Sequence, residues 1–270
     1  MSKKLLSVPY LFWSAMFIVV PLCMVFYYGL TDKSGAFTLD NIMAIATPEH
    51  SKALWEAVKL SIISTIICLV LAYPLAMLLS NMSARQDTFI VLIFVLPMWM
   101  NFLLRTIAWQ ALLEKTGVIN NILGFFHMPK LDIINTPGAI VLGMVYNFLP
   151  FMILPIYNVL VKIDKNVINA ARDLGANPLQ TFTKIMLPLS IPGIISGITM
   201  VFVPALTTFV ISRILGGGKI LLIGNIIEEE FTKTGNWNLG SGLSIVLMLF
   251  IILNMVITAV TDKDGEVNAL

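Results

Sequence analysis

The chain has 270 residues, 58% of them hydrophobic and 12% charged, with 17 basic side chains against 15 acidic ones and a formal net charge of +2. A water-soluble domain carries about 25% charged residues, so much of this surface is expected to face lipid. The near-neutral balance argues against nucleic acid as a partner, and two cysteines inside apolar runs, Cys23 and Cys68, argue against a disulfide framework.

A helix needs roughly 20 mostly apolar residues to cross about 30 Å of hydrocarbon. Six stretches qualify: Val8–Leu30, Leu54–Leu79, Thr88–Leu113, Pro137–Leu160, Ser190–Ile211 and Ser241–Thr261. The first follows Ser2-Lys3-Lys4, a basic start like that of a signal peptide. Its apolar run is too long for one, and no small-x-small cleavage site follows, so an uncleaved anchor is expected. Lys3 and Lys4 favour an N-terminus on the inner face. With Lys3 and Lys4 included, the basic residues divide eight inside against nine outside, so the raw count alone decides nothing. Prolines at 9, 21, 74, 97, 150, 155, 192 and 204 lie within these spans. They fit kinks along a passage and equally fit bent, packed helices.

The longest polar stretch on the inner side runs from Val161 to Leu189. Asp164 can cap a helix, offering its carboxylate to unpaired amides. Val167, Ile168, Ala171 and Leu174 then share one face at helical spacing. Gly175 follows where a left-handed residue ends a helix, and Asn177-Pro178 is a cap followed by proline at the first helical position. Leu179, Phe182, Ile185 and Met186 make a second stripe, which Pro188 is expected to interrupt. The spacing predicts helix, sharp turn, helix, with an apolar face outside the bilayer. Periodicity fits a loop lying on lipid headgroups and a docking element for another protein equally.

The segment INAARDLGANPLQTFTKIMLPLSIPGIISG resembles the EAA loop of permease subunits in ATP-binding-cassette (ABC) importers. Asn169-Ala170-Ala171 stands at the family's triplet, with Asn169 where glutamate is usual, followed by Arg172 and Asp173. Gly175 matches the family glycine, and Ile185, Leu187 and Pro188 match its ending. The stretches ARDLGANPLQTF, VYNFLPFMILPIY, LPMWMNFLLR and GGGKILLIGNIIEEEF are similar to the B-type permease of spermidine/putrescine importers, from about Leu54 to the last span.

This resemblance implies an all-α integral membrane protein of six transmembrane helices with the type I ABC importer (MetI-like) permease fold. It implies one domain over residues 1–270, with a core at about 54–261 and a cytoplasmic coupling loop at about 161–189. It further implies a multi-pass protein of the bacterial inner membrane. The implied partners are a second homologous permease subunit, two copies of a cytoplasmic ATP-binding subunit, an external polyamine-binding protein and the lipid bilayer. ATP and magnesium are then bound by the ATPase, with no cofactor in this chain.

Other features are weighed beside that likeness. Gly216-Gly217-Gly218-Lys219 is not a phosphate loop, because Arg213 stands where the first glycine belongs and Ile220 where Ser or Thr belongs. His50 and His127 read as ordinary loop residues rather than metal ligands, and no nucleophile–base set supports an enzyme. No acidic residue falls in the middle of a span, which disfavours an ion-coupled secondary transporter. Trp99, Asn101, Tyr146 and Asn147 are candidates for the substrate path, since aromatic faces attract a desolvated cation and amides accept ammonium hydrogens. Trp and Tyr also serve as interface anchors. Arg105 is expected to snorkel toward the outer face. Glu228, Glu229 and Glu230, near Phe231 and Trp237, fit a solvated loop, and equally a funnel for a polycation or a contact for the binding protein.

Overall fold

A computed structural model describes residues 8–82 and 96–267. α1 (Val8–Ser14) passes through a π-turn, Ala15–Val19, into α2 (Val20–Gly29). The cause lies two residues beyond the turn. Pro21 has no N–H for the Phe17 carbonyl, and the turn before it widens so that Val20 N–H donates to Ala15 O. The free carbonyls at the end of α2 are met by two amides from elsewhere in the chain. Asn41 Nδ2 and Asn238 Nδ2 donate to Thr31 O at 2.9 and 2.7 Å, and Asn238 also donates to Tyr28 O at 3.1 Å.

α3 (Pro48–Ser80) begins six residues before the predicted span, because Thr47 and Pro48 open the helix. Its 33 residues reach about 50 Å at 1.5 Å each, more than the hydrocarbon needs. The polar first turns, with Glu49, Lys52 and Glu56, therefore extend past the membrane. Then come α4 (Phe102–Leu113), α5 (Val118–Phe125), α6 (Pro137–Leu160), α7 (Lys165–Asp173), α8 (Pro178–Thr181), α9 (Leu187–Thr207), α10 (Val210–Leu215), α11 (Ile223–Glu229) and α12 (Trp237–Val267). Five helical runs among the described residues are long and apolar enough to span a membrane: Phe12–Gly29, Pro48–Ser80, Pro137–Leu160, Pro178–Thr207 and Trp237–Thr258.

The core is the trio α3, α6 and α9, with α12 packed along α2 and α9. Small side chains permit this. Ala57, Ser61, Ser64, Cys68, Ala72 and Ala76 form one fully buried stripe on α3. Ser61 and Ser64 satisfy their hydroxyls inside the helix, donating to Ala57 O and Leu60 O at 2.7 Å. The stripe therefore presents no unmet polar group to α6.

Two expected spans differ in the structure. Residues 88–95 of the third lie outside the described residues. The remainder is a 3₁₀ turn, Leu96–Trp99, then a break, then α4. Asn101 makes the break, since its side chain accepts from Leu103 N at 2.8 Å and starts a new helix. The fifth was expected to run to Ile211 but ends at Thr207. Thr208 is extended, and the chain turns into α10.

Candidate functional site

The inner end, named for the orientation expected above, carries α7 and α8. Asp164 Oδ1 accepts from Asn166 N at 2.9 Å and caps α7. Gly175 has φ +85°, Gly175 N donates to Arg172 O at 2.9 Å, and Ala176 N donates to Ala171 O at 3.0 Å. Together these are a Schellman stop. Asn177 and Gln180 then cap each other reciprocally at 2.8 and 2.9 Å, a capping box that opens α8. The helix–turn–helix expected of Val161–Leu189 is thus built from local hydrogen bonds, without help from the bundle. Phe182, Met186 and Leu187 pack against the bundle, but others stay uncovered: Val167 and Leu179 are exposed, and Leu174 is 89% exposed. Asn169, Ala170, Arg172 and Asp173 are also exposed, with Ala171 half-buried.

Pro188 does not stop the second helix. It leaves the Lys184 carbonyl without its N–H, and Phe182–Met186 widens into a π-turn with Leu187 N–H donating to Phe182 O. Ile185 and Leu187 are half-buried there and Pro188 is exposed. This repeats the arrangement before Pro21.

Between α6 and α9, beside the Leu96–Trp99 turn, lies a cavity of about 500 Å³ walled by Met98, Phe151, Asn158, Ser196 and Met200, among others. Asn158 and Ser196 are exposed to it. Polar groups on spanning helices belong against protein or a watered space rather than lipid. None of the four path candidates is among its wall residues. Trp99, 76% exposed, adjoins Met98. Asn101 is spent on its capping bonds. The Tyr146 ring meets Trp109 edge-on at 5.1 Å. Asn147, one turn from Phe151, is buried, with Nδ2 donating to Gly143 O at 2.8 Å and Oδ1 unpartnered among the described residues. Asn158 and Ser196 were missed by sequence reasoning, although a polar residue within an apolar span is itself a signal. Arg105 does not snorkel: it is buried, with Nε and Nη1 unpaired among the described residues, on a helix packed against α10 and α6.

At the outer end Asn225 is a buried hub. Its Oδ1 accepts from Ser212 Oγ at 2.6 Å and Leu222 N at 3.0 Å, and its Nδ2 donates to Phe209 O at 2.9 Å. This joins α10 to α11. The acidic triplet follows. Glu228 is held by both Arg213 nitrogens, and Glu229 pairs with Lys233 at 2.6 Å and with Arg213 at 3.7 Å. Glu230 accepts from Thr234 Oγ1 at 2.7 Å. The Arg213 guanidinium holds the Glu228 carboxyl below its usual value, and Glu228 in turn raises Arg213. Two of the three carboxylates are therefore already neutralised. Trp237 sits between Tyr28 and Phe231, at ring separations of 6.1 and 5.4 Å.

A spanning helical bundle that displays an uncovered, self-capped helical loop at one end is the architecture of a transport permease. The family model for the binding-protein-dependent transport system inner membrane component matches residues 69–263, and the chain belongs to that family, as a multi-pass protein of the bacterial inner membrane. The spermidine/putrescine transport system permease protein PotB of Haemophilus influenzae is 36% identical over 250 residues, 89% of this chain and 87% of its own length. PotB of Escherichia coli is 36% identical over 246 residues, 88% of this chain and 89% of its own. The Escherichia coli inner membrane ABC transporter permease protein YdcU is 30% identical over 86% of this chain and 78% of its own. Among solved structures, a chain of a bacterial ABC transporter that imports the acidic polysaccharide alginate superposes with TM-score 0.82 at 14% identity, covering 97% of this chain and 94% of that one. A chain of the inward-facing MetNI methionine ABC transporter gives 0.59 at 18% identity, covering 82% and 99%. These structures fix the type I importer permease fold.

Proposed function

We propose that this chain is the permease subunit of an ATP-driven importer for polyamines of the spermidine/putrescine class. It forms the passage with a second, homologous permease subunit and receives substrate from an external polyamine-binding protein. Two copies of a cytoplasmic ATPase bind ATP and magnesium, and this chain performs no chemical step. The observation that carries the reading is the self-capped α7–α8 element, whose apolar side chains Leu174 and Leu179, and in part Val167, stay exposed among the described residues. Ridged apolar helix faces of this kind fit a groove on a partner. The likeness to PotB supports the substrate class, and the cavity beside Trp99 supports the route.

Closure of the ATPase dimer moves the loop around Asn169–Gly175, and the bundle turns between inward- and outward-facing states. The test is a Leu174→Cys variant in the assembled importer. Thiol cross-linking should capture the ATPase subunit, and the label should reach Asn177→Cys only from the cytoplasmic side while reaching Glu229→Cys from outside. Capture by lipid-directed reagents alone would contradict docking, and the reverse labelling pattern would contradict the orientation.

A further inference from the structure

Tyr73, near the inner end of α3, is buried, and its hydroxyl lies 2.8 Å from Oγ of buried Ser190 on α9. Ser190 Oγ is also 2.9 Å from Leu187 O. A serine hydroxyl has one proton and a carbonyl can only accept. Ser190 therefore donates to Leu187, and Tyr73 donates to Ser190. The Tyr73 ring meets Phe182 edge-on, with centroids 5.5 Å apart and planes at 87°. Phe182 opens the π-turn between α8 and α9, and Leu187 follows its end. One side chain of α3 thus reaches both ends of that turn.

The turn joins the exposed α7–α8 element to the spanning helices. A π-turn is a locally widened piece of helix, so a push on α8 can be absorbed there unless the turn is held. We propose that Tyr73 is the positioning residue that holds it, passing displacement of the loop to α3 and, through the long α3–α6 contact, to the bundle. This rests on the ATPase-docking role of the loop proposed above. The ring and the hydroxyl make separable contributions: the ring braces Phe182, and the hydroxyl fixes the first turn of α9.

Tyr73→Phe keeps the ring and removes the hydroxyl. The complete importer, reconstituted in liposomes with its binding protein, is assayed for ATP hydrolysed per spermidine taken up. Tyr73→Phe should raise that ratio about two- to tenfold, the effect of one lost hydrogen bond, while basal ATP hydrolysis persists. Tyr73→Phe with Ser190→Ala should go no further than either change alone, because both remove the same link. A merely structural role would lower the yield of assembled importer and leave the ratio unmoved, and that result would overturn the inference. A second readout needs no substrate. Spin labels at Asn81→Cys and Asn177→Cys should keep their separation when a non-hydrolysable ATP analogue is added to the otherwise wild-type importer, and change it in the Tyr73→Phe background. Identical behaviour in both backgrounds would also overturn it. Absence of spermidine uptake by the wild type would contradict the polyamine reading and leave the spin-label comparison as the test of Tyr73.

Discussion

Gly193 on α9 approaches Pro155 on α6 so closely that a Cβ at position 193 would lie 2.9 Å from the Pro155 carbonyl oxygen. One turn on, a Cβ at Gly197 would lie 2.6 Å from Met152 Sδ. Both glycines let the helices settle together, but the first meets backbone and the second meets a flexible thioether. Gly193→Ala should destabilise the purified importer by about 1–3 kcal/mol through overpacking, and Gly197→Ala by less. Thermal unfolding measures both, and equal losses would contradict the contact described.

Gly175 has open space around it and a positive φ, so its requirement is backbone conformation rather than room. Gly175→Leu should leave membrane insertion normal and abolish ATPase docking or transport, because the Schellman stop that orients α7 against α8 is lost. Gly175→Asn, which tolerates the left-handed region better, should retain most activity. Full transport by the leucine variant at wild-type protein level would remove the loop from the coupling route.

The Arg213–Glu228 pair gives a pH dependence with a definite sign. Its carboxyl is depressed in the folded protein, so its stabilisation is present above the usual carboxylate range and is lost as pH falls through the folded value. Because Arg213 is partly exposed, the stabilisation is about 0.2–1 kcal/mol. Wild type should melt above Glu228→Gln at neutral pH, and the difference should shrink as pH falls below the usual carboxylate range and vanish below the depressed folded value. A difference that persists unchanged to lower pH would assign the effect to something other than the ion pair.

The inner loop was legible in the sequence because each of its signals is local. Asp164, Gly175 and Asn177-Pro178 each do their work within three or four residues, and the structure places all of them as expected. Pro188 was misjudged, since a proline can widen the turn before it rather than end the helix. Hydropathy located the spans but not their ends: it reports lipid depth, whereas Thr47 and Pro48 set where α3 begins. The break at Asn101 was hidden inside an apolar run, although Pro97 and a capping residue both lay within it. Arg105 near the end of a span suggested water, but it is buried, and its helix packs against α10, a hundred residues away in sequence. Tyr73 with Ser190, and Asn225 with Phe209 and Ser212, are pairings that only the folded bundle brings about.

For the passage, Trp99 stands exposed beside the cavity between α6 and α9. A desolvated cation–π contact contributes about 0.5–2 kcal/mol, so Trp99→Ala should reduce spermidine uptake about two- to thirtyfold where the passage limits the rate. Asn158→Leu should also lower uptake, by removing an amide from the cavity wall. Uptake indifferent to both changes would move the route elsewhere.

The most direct test of the central claim is uptake of radiolabelled spermidine by liposomes containing this chain, its partner permease and the ATPase, with the binding protein and ATP supplied on their respective sides. The account predicts saturable accumulation that requires both ATP and the binding protein and is lost with Gly175→Leu. ATP hydrolysis stimulated by the binding protein without accumulation of any polyamine would contradict it.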